Sequence, residues 1–260
     1  MSAEVGPDAA EVKVETMGTP LGSAFLYNGF IILTVLLAAG IVWNVYLAGR
    51  GLREPRRRTL AFTGGAVIGI TLWMVLTWAV AGTGILADFD RRPPPILLML
   101  LAVLAVSTAV AFSRYGTRFV AGLPLWILVA GQAFRLPLEW LMHRAADEGV
   151  MPPQMSYSGW NFDILTGLTA IPVAFVLARG FRHARAVAAL WNVLGAALLT
   201  NILTIAMLST PLVAAFGAEH TNTWVAHPPY IWLPTIMVVC AITGHLVIFR
   251  KLQATAKRRL

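Results

Sequence analysis

The chain of 260 residues contains a single cysteine, Cys240, and few charged residues. One cysteine excludes a disulfide or a cysteine-based metal site within one chain. Charged residues make up 12% of the sequence, against about 25% in ordinary soluble domains, whereas hydrophobic residues reach 58%. This composition excludes an ordinary soluble domain and indicates a polytopic membrane protein.

Lysine and the common catalytic motifs are also scarce or absent. Lys13, Lys251 and Lys257 all lie at or beyond the ends of the apolar segments. A retinal Schiff base requires a buried lysine, so the sequence argues against a light-driven opsin. The chain has no P-loop, Gly-x-Ser-x-Gly or His-Glu-x-x-His motif. The sequence therefore favours a protein that is not an enzyme, and it indicates no particular cofactor and no metal.

Long apolar runs are what the sequence does contain. A membrane-spanning helix needs about 20 mostly apolar residues. Seven segments meet this length: 23–49, 60–87, 95–112, 119–143, 160–178, 186–210 and 229–249. We predict an all-α transmembrane bundle of seven helices over residues 23–250. An acidic, disordered extracytoplasmic tail at 1–22 precedes it, and a basic cytoplasmic tail at 251–260 follows it.

The lysine and arginine residues predict the orientation of the bundle, because cytoplasmic loops are enriched in them. The richer side carries Arg50, Arg53, Arg56, Arg57, Arg58, Arg114, Arg118, Arg179, Arg182, Arg185, Arg250, Lys251, Lys257, Arg258 and Arg259. The poorer side carries Lys13, Arg91, Arg92 and Arg144. The N-terminus is therefore expected outside and the C-terminus in the cytoplasm.

The formal net charge of +8 has the same explanation. The basic residues lie at helix ends on the predicted cytoplasmic side, where topology and attraction to anionic lipid headgroups account for them. We expect the lipid bilayer as a partner and no nucleic acid. The oligomeric state is not readable from the sequence.

One apolar segment carries a stripe of polar side chains. At about 100° per residue, Gln132, Arg135, Glu139 and His143 fall on one face of a helix. Charged groups in a bilayer are expensive and normally point into the bundle interior, where they pair or mark a site. This stripe is therefore the first place to look for function.

Counting about 1.5 Å per residue along ideal helices sorts the buried polar residues into two layers. The outer layer is the predicted ligand-binding site and consists of Gln132, Arg135, Glu139, His143, Asn161, Asp163 and Asn201, with His220 or His227 in the loop above. A second layer near the cytoplasmic face consists of Asn44, Asn192 and His245. Pro137 predicts a kink beside the stripe.

Three interpretations of the outer layer remain open. In the first, Arg135 and Glu139 form an i,i+4 pair, Asp163 helps to satisfy the guanidinium, and the network only holds helices together. In the second, Arg135 anchors a small polar or anionic solute, because its planar fork suits carboxylate or phosphate, and Glu139 with His143 gates it or carries protons. In the third, Glu139, His143, Asp163 and a loop histidine hold a divalent metal in a membrane-embedded hydrolase, although the Arg135 cation would repel the metal.

A non-catalytic subunit of a membrane complex is a further alternative. The second interpretation is the one that we carry forward as the expected function: binding or translocation of a small polar or anionic solute at an outward-facing intramembrane site.

The runs from Gln132 to His143, Gly149 to Met155 and Asn161 to Ala170 resemble an uncharacterised family of small bacterial polytopic membrane proteins. The similar part covers the second half of the chain. This resemblance implies a multi-pass protein of the bacterial cytoplasmic membrane and implies nothing about activity. Its residues fall on the same outer layer.

Overall fold

The computed structural model describes residues 22–256, and over that range the chain is helical, without strands. In chain order the α-helices are α1 (Ala24–Gly51), α2 (Arg56–Gly82), α3 (Pro95–Phe112), α4 (Arg114–Gly122), α5 (Leu125–Ala130), α6 (Arg135–Asp147), α7 (Ile164–Ala178), α8 (Ala184–Leu208) and α9 (Val239–Ala256). Almost all of the predicted N-terminal tail and the last four residues of the C-terminal tail lie outside the described residues. Residues 251–256 continue α9.

Five helical stretches within the described range are long and apolar enough to cross a bilayer. They are Ala24–Gly51, Arg56–Gly82, Pro95–Phe112, Ala184–Leu208 and Leu233–Ala254. Large apolar side chains such as Leu36, Leu72 and Leu190 are more than half exposed on these helices. Exposed leucines on long apolar helices are where lipid chains make contact. The chain is therefore an all-helical, multi-pass membrane protein.

The prediction of seven continuous spans is not confirmed, because the fourth and fifth predicted segments differ from it. The predicted segment 119–143 is divided among α4, α5, a 3₁₀ segment at Gly131–Phe134 and α6. The predicted segment 160–178 contains only the 15-residue α7.

Prolines explain both interruptions of the fourth segment. Pro124 pushes Leu123 into an extended conformation, with φ −102° and ψ 140°, and α4 ends there. Pro137 has no amide N–H to donate to the carbonyl of Ala133. Ala133 lies in the 3₁₀ segment Gly131–Phe134, where the α-helix is interrupted. Pro137 itself lies in the first turn of α6, where amides have no partner within the helix. A 3₁₀ segment thus lies just before the proline at which a kink was predicted.

α9 packs at the centre of the bundle, against α3, α4, α5 and α8. A π-helix at Leu233–Val238 leads into it. α7 packs against α5, α6 and α8. The 3₁₀ segment contacts both α7 and α9, so the start of α6 lies between these two helices.

An aromatic cluster closes one end of the bundle. Phe30 of α1 meets Trp224 and Tyr230, with ring centroids 5.6 and 5.2 Å apart, and all three side chains are fully buried. Trp224 and Tyr230 belong to the connection between α8 and α9. The connection is therefore packed onto the helices rather than being a loose loop.

A polar clasp joins the beginning of α1 to the end of α6 at the same end. Glu148 accepts hydrogen bonds from the Ser23 amide at 2.7 Å and from the Ser23 hydroxyl at 2.8 Å. The Ser23 hydroxyl also caps α1 by accepting from the Leu26 amide at 3.1 Å. The hydrogen bond from the Ser23 amide lowers the pKa of Glu148 below its ordinary value of 4.5.

We predict that the clasp stabilises the fold at neutral pH and is lost in acid. A carboxyl group whose pKa is lowered on folding contributes stability above its unfolded pKa, here 4.5, and loses it as the pH falls through the lowered value. Glu148→Gln should lower the melting temperature at pH 7, and the difference from the unmodified protein should shrink below pH 4.5. Thermal unfolding of the detergent-solubilised protein against pH measures this. Asp90→Asn, at an exposed carboxylate, is the control; equal melting curves for Glu148→Gln and the control would contradict the prediction.

Candidate functional site

Arg135 is almost completely buried, with 1% of its side chain exposed, and it pairs with a carboxylate on another helix. Its Nη1 donates to Oδ1 of Asp163 at 2.6 Å. Arg135 begins α6, and Asp163 precedes the first residue of α7. The two helices approach closely because residue 167 is glycine: a Cβ there would lie 2.6 Å from the Leu136 amide nitrogen.

His245 of α9 is the second partner of Arg135. Its Nε2 lies 3.1 Å from Nη2 of Arg135. A guanidinium can only donate, so Nε2 accepts and the imidazole proton is on Nδ1. Nδ1 then donates to Oδ1 of Asn192 at 2.9 Å, and Asn192 Nδ2 donates to the His245 carbonyl at 3.2 Å. His245 is therefore a neutral acceptor beside the guanidinium, held in place by α8.

This contact corrects the prediction that His245 and Asn192 belong to a separate cytoplasmic layer. The depth estimate assumed straight, continuous α-helices. The interruption at Leu123 and the 3₁₀ segment change the rise along the chain, since a 3₁₀ turn rises about 2.0 Å per residue. The long arginine side chain then spans the remaining distance. Asn44, the third residue of that layer, has no hydrogen bond to His245 in the described part of the chain and lines a cavity beside α1.

Glu139 is held by Asn161 rather than by Arg135. Asn161 Nδ2 donates to Glu139 Oε2 at 2.7 Å and to the Met155 carbonyl at 3.0 Å. Asn161 Oδ1 accepts from the Asp163 amide at 3.0 Å. Asn161 thus bridges the two carboxylate residues.

The i,i+4 ion pair between Arg135 and Glu139, which belongs to the first interpretation, is absent from the ion pairs of residues 22–256. Arg135 reaches α7 instead, because long side chains on a helix lean toward its N-terminus and Arg135 is the first residue of α6. Arg135 therefore pairs with Asp163, next to another helix, and not with Glu139 of its own helix.

Thr166 completes the contacts of Asp163, and sequence reasoning had not selected it. Its hydroxyl donates to Asp163 Oδ1 at 3.1 Å. The available signal was the spacing of a hydroxyl three residues after an aspartate at a helix start. No spacing could have identified His245 as a partner, since 110 residues separate it from Arg135.

The predicted site residues fall into two groups. Arg135, Glu139, Asn161 and Asp163 form one hydrogen-bonded cluster, which we call the Arg135 cluster and which also contains Thr166, Asn192 and His245. The remaining predicted residues lie elsewhere.

His143 and Asn201 contact the connection between α6 and α7. His143 Nδ1 is 2.9 Å from the Ser156 hydroxyl, and its ring stacks on Tyr157 with centroids 4.3 Å apart. Asn201 Nδ2 donates to the Trp160 carbonyl at 2.8 Å. Both residues fasten that connection rather than extend the cluster.

Gln132, His220 and His227 also lack a hydrogen bond to the Arg135 cluster in the described part of the chain. Gln132 is buried and packs against Gly244 of α9, one residue before His245. His220 lies beside the Phe216 carbonyl at 3.2 Å and Glu219 at 3.4 Å. Burial lowers the pKa of His227, which keeps this loop histidine neutral at physiological pH.

A metal site finds no support in this geometry. Among residues 22–256 no group of three or more His, Cys, Asp or Glu side chains is placed to hold a metal ion. The guanidinium lies against Asp163, one of the predicted ligands, and a fixed cation there opposes a second one.

One nitrogen of the Arg135 guanidinium has no partner among the described residues. Nε of Arg135 is buried and has no hydrogen-bond partner among the described residues. Buried polar groups are nearly always hydrogen-bonded in folded proteins, and an unsatisfied one costs about 1–3 kcal/mol. The Nε–H group of Arg135 can therefore donate a hydrogen bond to one further acceptor group.

We predict strong energetic coupling between Arg135 and Asp163. Asp163→Asn leaves a buried cation without its counter-charge and should lower the free energy of unfolding by about 3–5 kcal/mol. Arg135→Met combined with Asp163→Asn should lower it by less than the sum of the single changes. Unfolding in mixed detergent micelles measures all three variants.

The matched control is the exposed pair of Arg91 and Asp88, 3.4 Å apart. Asp88→Asn should change the free energy of unfolding by less than about 1 kcal/mol. Additive effects of the two changes at Arg135 and Asp163 would show that the buried pair has no special role.

Comparison of the chain with protein-family models finds no match. No curated protein matches its sequence, and no solved structure matches its fold. The resemblance to an uncharacterised bacterial membrane family therefore stays a prediction, and the function of the chain is inferred from the chemistry of the Arg135 cluster.

Proposed function

We propose that the chain binds or translocates a small polar or anionic solute at Arg135, with proton uptake by the neighbouring carboxyl groups. The observation that carries this proposal is the buried guanidinium, whose Nε donor has no hydrogen-bond partner among the described residues. A guanidinium presents five N–H donors in a planar fork that suits carboxylate and phosphate groups. In a bundle of apolar helices, such a group marks a binding site or pathway.

The charges of the cluster link solute binding to protons. Arg135 supplies one positive charge, and Asp163 and Glu139 supply two carboxyl groups, all at most 4% exposed. A buried cluster is most stable near neutrality. It reaches neutrality with one proton on a carboxyl group. A second proton would release Arg135 from Asp163 and leave one positive charge for an anionic solute, so the anion and the proton enter together.

Seven crossings, with the N-terminus outside and the C-terminus in the cytoplasm, form part of this proposal. The fourth crossing is α5 with the 3₁₀ segment and α6, and the fifth is α7. Contacts between the connections support this arrangement. Arg118 pairs with Glu54, and Lys251 donates to the Val120 carbonyl at 2.7 Å, so predicted cytoplasmic parts meet. The Ser23 clasp on Glu148 joins predicted outer parts.

The bacterial cytoplasmic membrane is the proposed location. Fifteen of the twenty lysine and arginine residues fall on one side of the seven crossings, as expected for such a protein. The metal-dependent hydrolase is not favoured, because the described residues offer no metal-binding group of three.

Ligand-induced stabilisation tests the proposal, with succinate and inorganic phosphate as probes. A ligand that binds only the folded protein stabilises it by about 2.7 kcal/mol at a hundredfold excess over Kd. We expect either probe to raise the melting temperature of the full chain, more at pH 5.5 than at pH 8, because anion binding accompanies proton uptake. Arg135→Gln should abolish the increase.

Arg144→Gln is the matched control for this test, since Arg144 lies on the same helix and is half exposed. It should respond to both probes like the unmodified protein. A response of Arg135→Gln equal to that of the control would refute the proposal, and a response independent of pH would refute the proton coupling.

A further inference from the structure

A cavity of about 640 Å³ lies between α1, α2, α3, α4, α5 and α9. Its wall follows α1 from Leu33 to Val45, roughly 18 Å at 1.5 Å per residue, and so stays within the apolar middle of that helix. Ligand sites in proteins have volumes of about 300–1,000 Å³, whereas packing voids rarely exceed a water molecule. The space is therefore of ligand size.

The walls of this cavity carry no charge. None of the described residues that line it is Asp, Glu, Lys, Arg or His. Two polar side chains in the wall are engaged elsewhere: Trp73 Nε1 donates to the Thr235 carbonyl at 2.8 Å, and Thr243 donates to the Ser107 carbonyl at 3.2 Å. A charged occupant would find no counter-charge, so the chemistry of the wall favours a neutral and largely apolar one.

Gln132 is a buried amide in the wall. It is 2% exposed and lines the cavity, and its Oε1 has no hydrogen-bond partner among the described residues. Glycine at residue 244 makes room for this amide, because a Cβ there would lie 2.0 Å from Gln132 Nε2 and the amide would have to move. A buried amide oxygen without a partner is a vacant acceptor, and a hydroxyl group is the neutral donor that fits it.

Irregular backbone lies on two sides of the same cavity. The 3₁₀ segment supplies Gly131 and Gln132, and the π-helix supplies Thr235 and Ile236. π-helical turns occur frequently at functional sites. At membrane depth, non-helical backbone is tolerated where it is buried in protein or lines a cavity. Both departures from the α-helix thus shape this space.

We propose that the cavity binds a neutral long-chain alcohol from the membrane, with its chain along α1 and its hydroxyl group donating to Gln132 Oε1. This site is separate from the Arg135 cluster, because Arg135, Glu139 and Asp163 do not line it among the described residues. Its occupancy does not depend on the solute proposal.

Photolabelling tests this site, with hexadecanol that carries a mid-chain diazirine as the probe. The full chain in detergent micelles is illuminated, and mass spectrometry identifies the labelled peptides. We expect labels on the stretches 65–73 of α2 and 239–247 of α9. Excess unlabelled hexadecanol should prevent labelling, whereas hexadecane should not, because it lacks the hydroxyl group.

Two glycines of α2 provide matched variants. A Cβ at either Gly69 or Gly64 meets no atom within 4 Å, but only Gly69 lines the cavity. Gly69→Leu should fill the space and abolish labelling, and Gly64→Leu should leave it unchanged. Gly40→Leu fills the cavity from α1 and replaces Gly69→Leu if that variant is not monodisperse.

Gln132→Met tests the hydrogen bond, since it keeps the length of the side chain and removes the amide. Labelling should fall about fivefold, the equivalent of one hydrogen bond. Arg135→Gln should label like the unmodified protein, which keeps a failure of the solute proposal apart from a failure of this one.

Two results would overturn the proposal. If hexadecane competes as well as hexadecanol and Gln132→Met labels normally, the cavity holds only acyl chains of the bulk lipid. If Gly64→Leu reduces labelling as much as Gly69→Leu does, the probe lies on the outer surface of α2 and not in the cavity.

Discussion

Arg135 has to keep a full positive charge inside a bundle of apolar helices, and the arrangement of α6, α7 and α9 follows from that requirement. A charge at such a place is stable only with a counter-charge and with hydrogen bonds to its remaining donors. Asp163, just before α7, provides the counter-charge, and His245 of α9 provides a hydrogen-bond acceptor. Three helices are thereby tied to one side chain.

Two asparagine side chains, Asn161 and Asn192, fix the residues around Arg135 and Asp163 in position. Asn192 fixes the tautomer of His245, and Asn161 connects Glu139 to the backbone of Asp163. Each amide side chain uses both its donor and its acceptor, so neither can rotate without losing a bond. Each of the two amides is thus held in one orientation. Nε of Arg135, in contrast, has no hydrogen-bond partner among the described residues.

Much of this architecture could be predicted from the sequence, because it depends on composition and local spacing. The long apolar stretches are helices, and Arg135 with Asp163 was assigned to one layer before their contact was known. Pro137 predicted a kink, and a 3₁₀ segment at Gly131–Phe134 lies just before it. The division of the fourth segment at Pro124 was missed, although the preference for an extended residue before proline was available as a signal.

The sequence by itself determined that the chain is an all-helical, multi-pass membrane protein and that a charged stripe interrupts one of its apolar segments. Hydrophobicity and helical period act over a few neighbouring residues, so they can be read without the fold. Only the tertiary structure decided that Arg135 pairs with Asp163 rather than Glu139, that His245 joins it, and that Gln132 lines a cavity. These contacts depend on helix breaks and on side-chain reach between residues far apart in the chain, which no local pattern encodes.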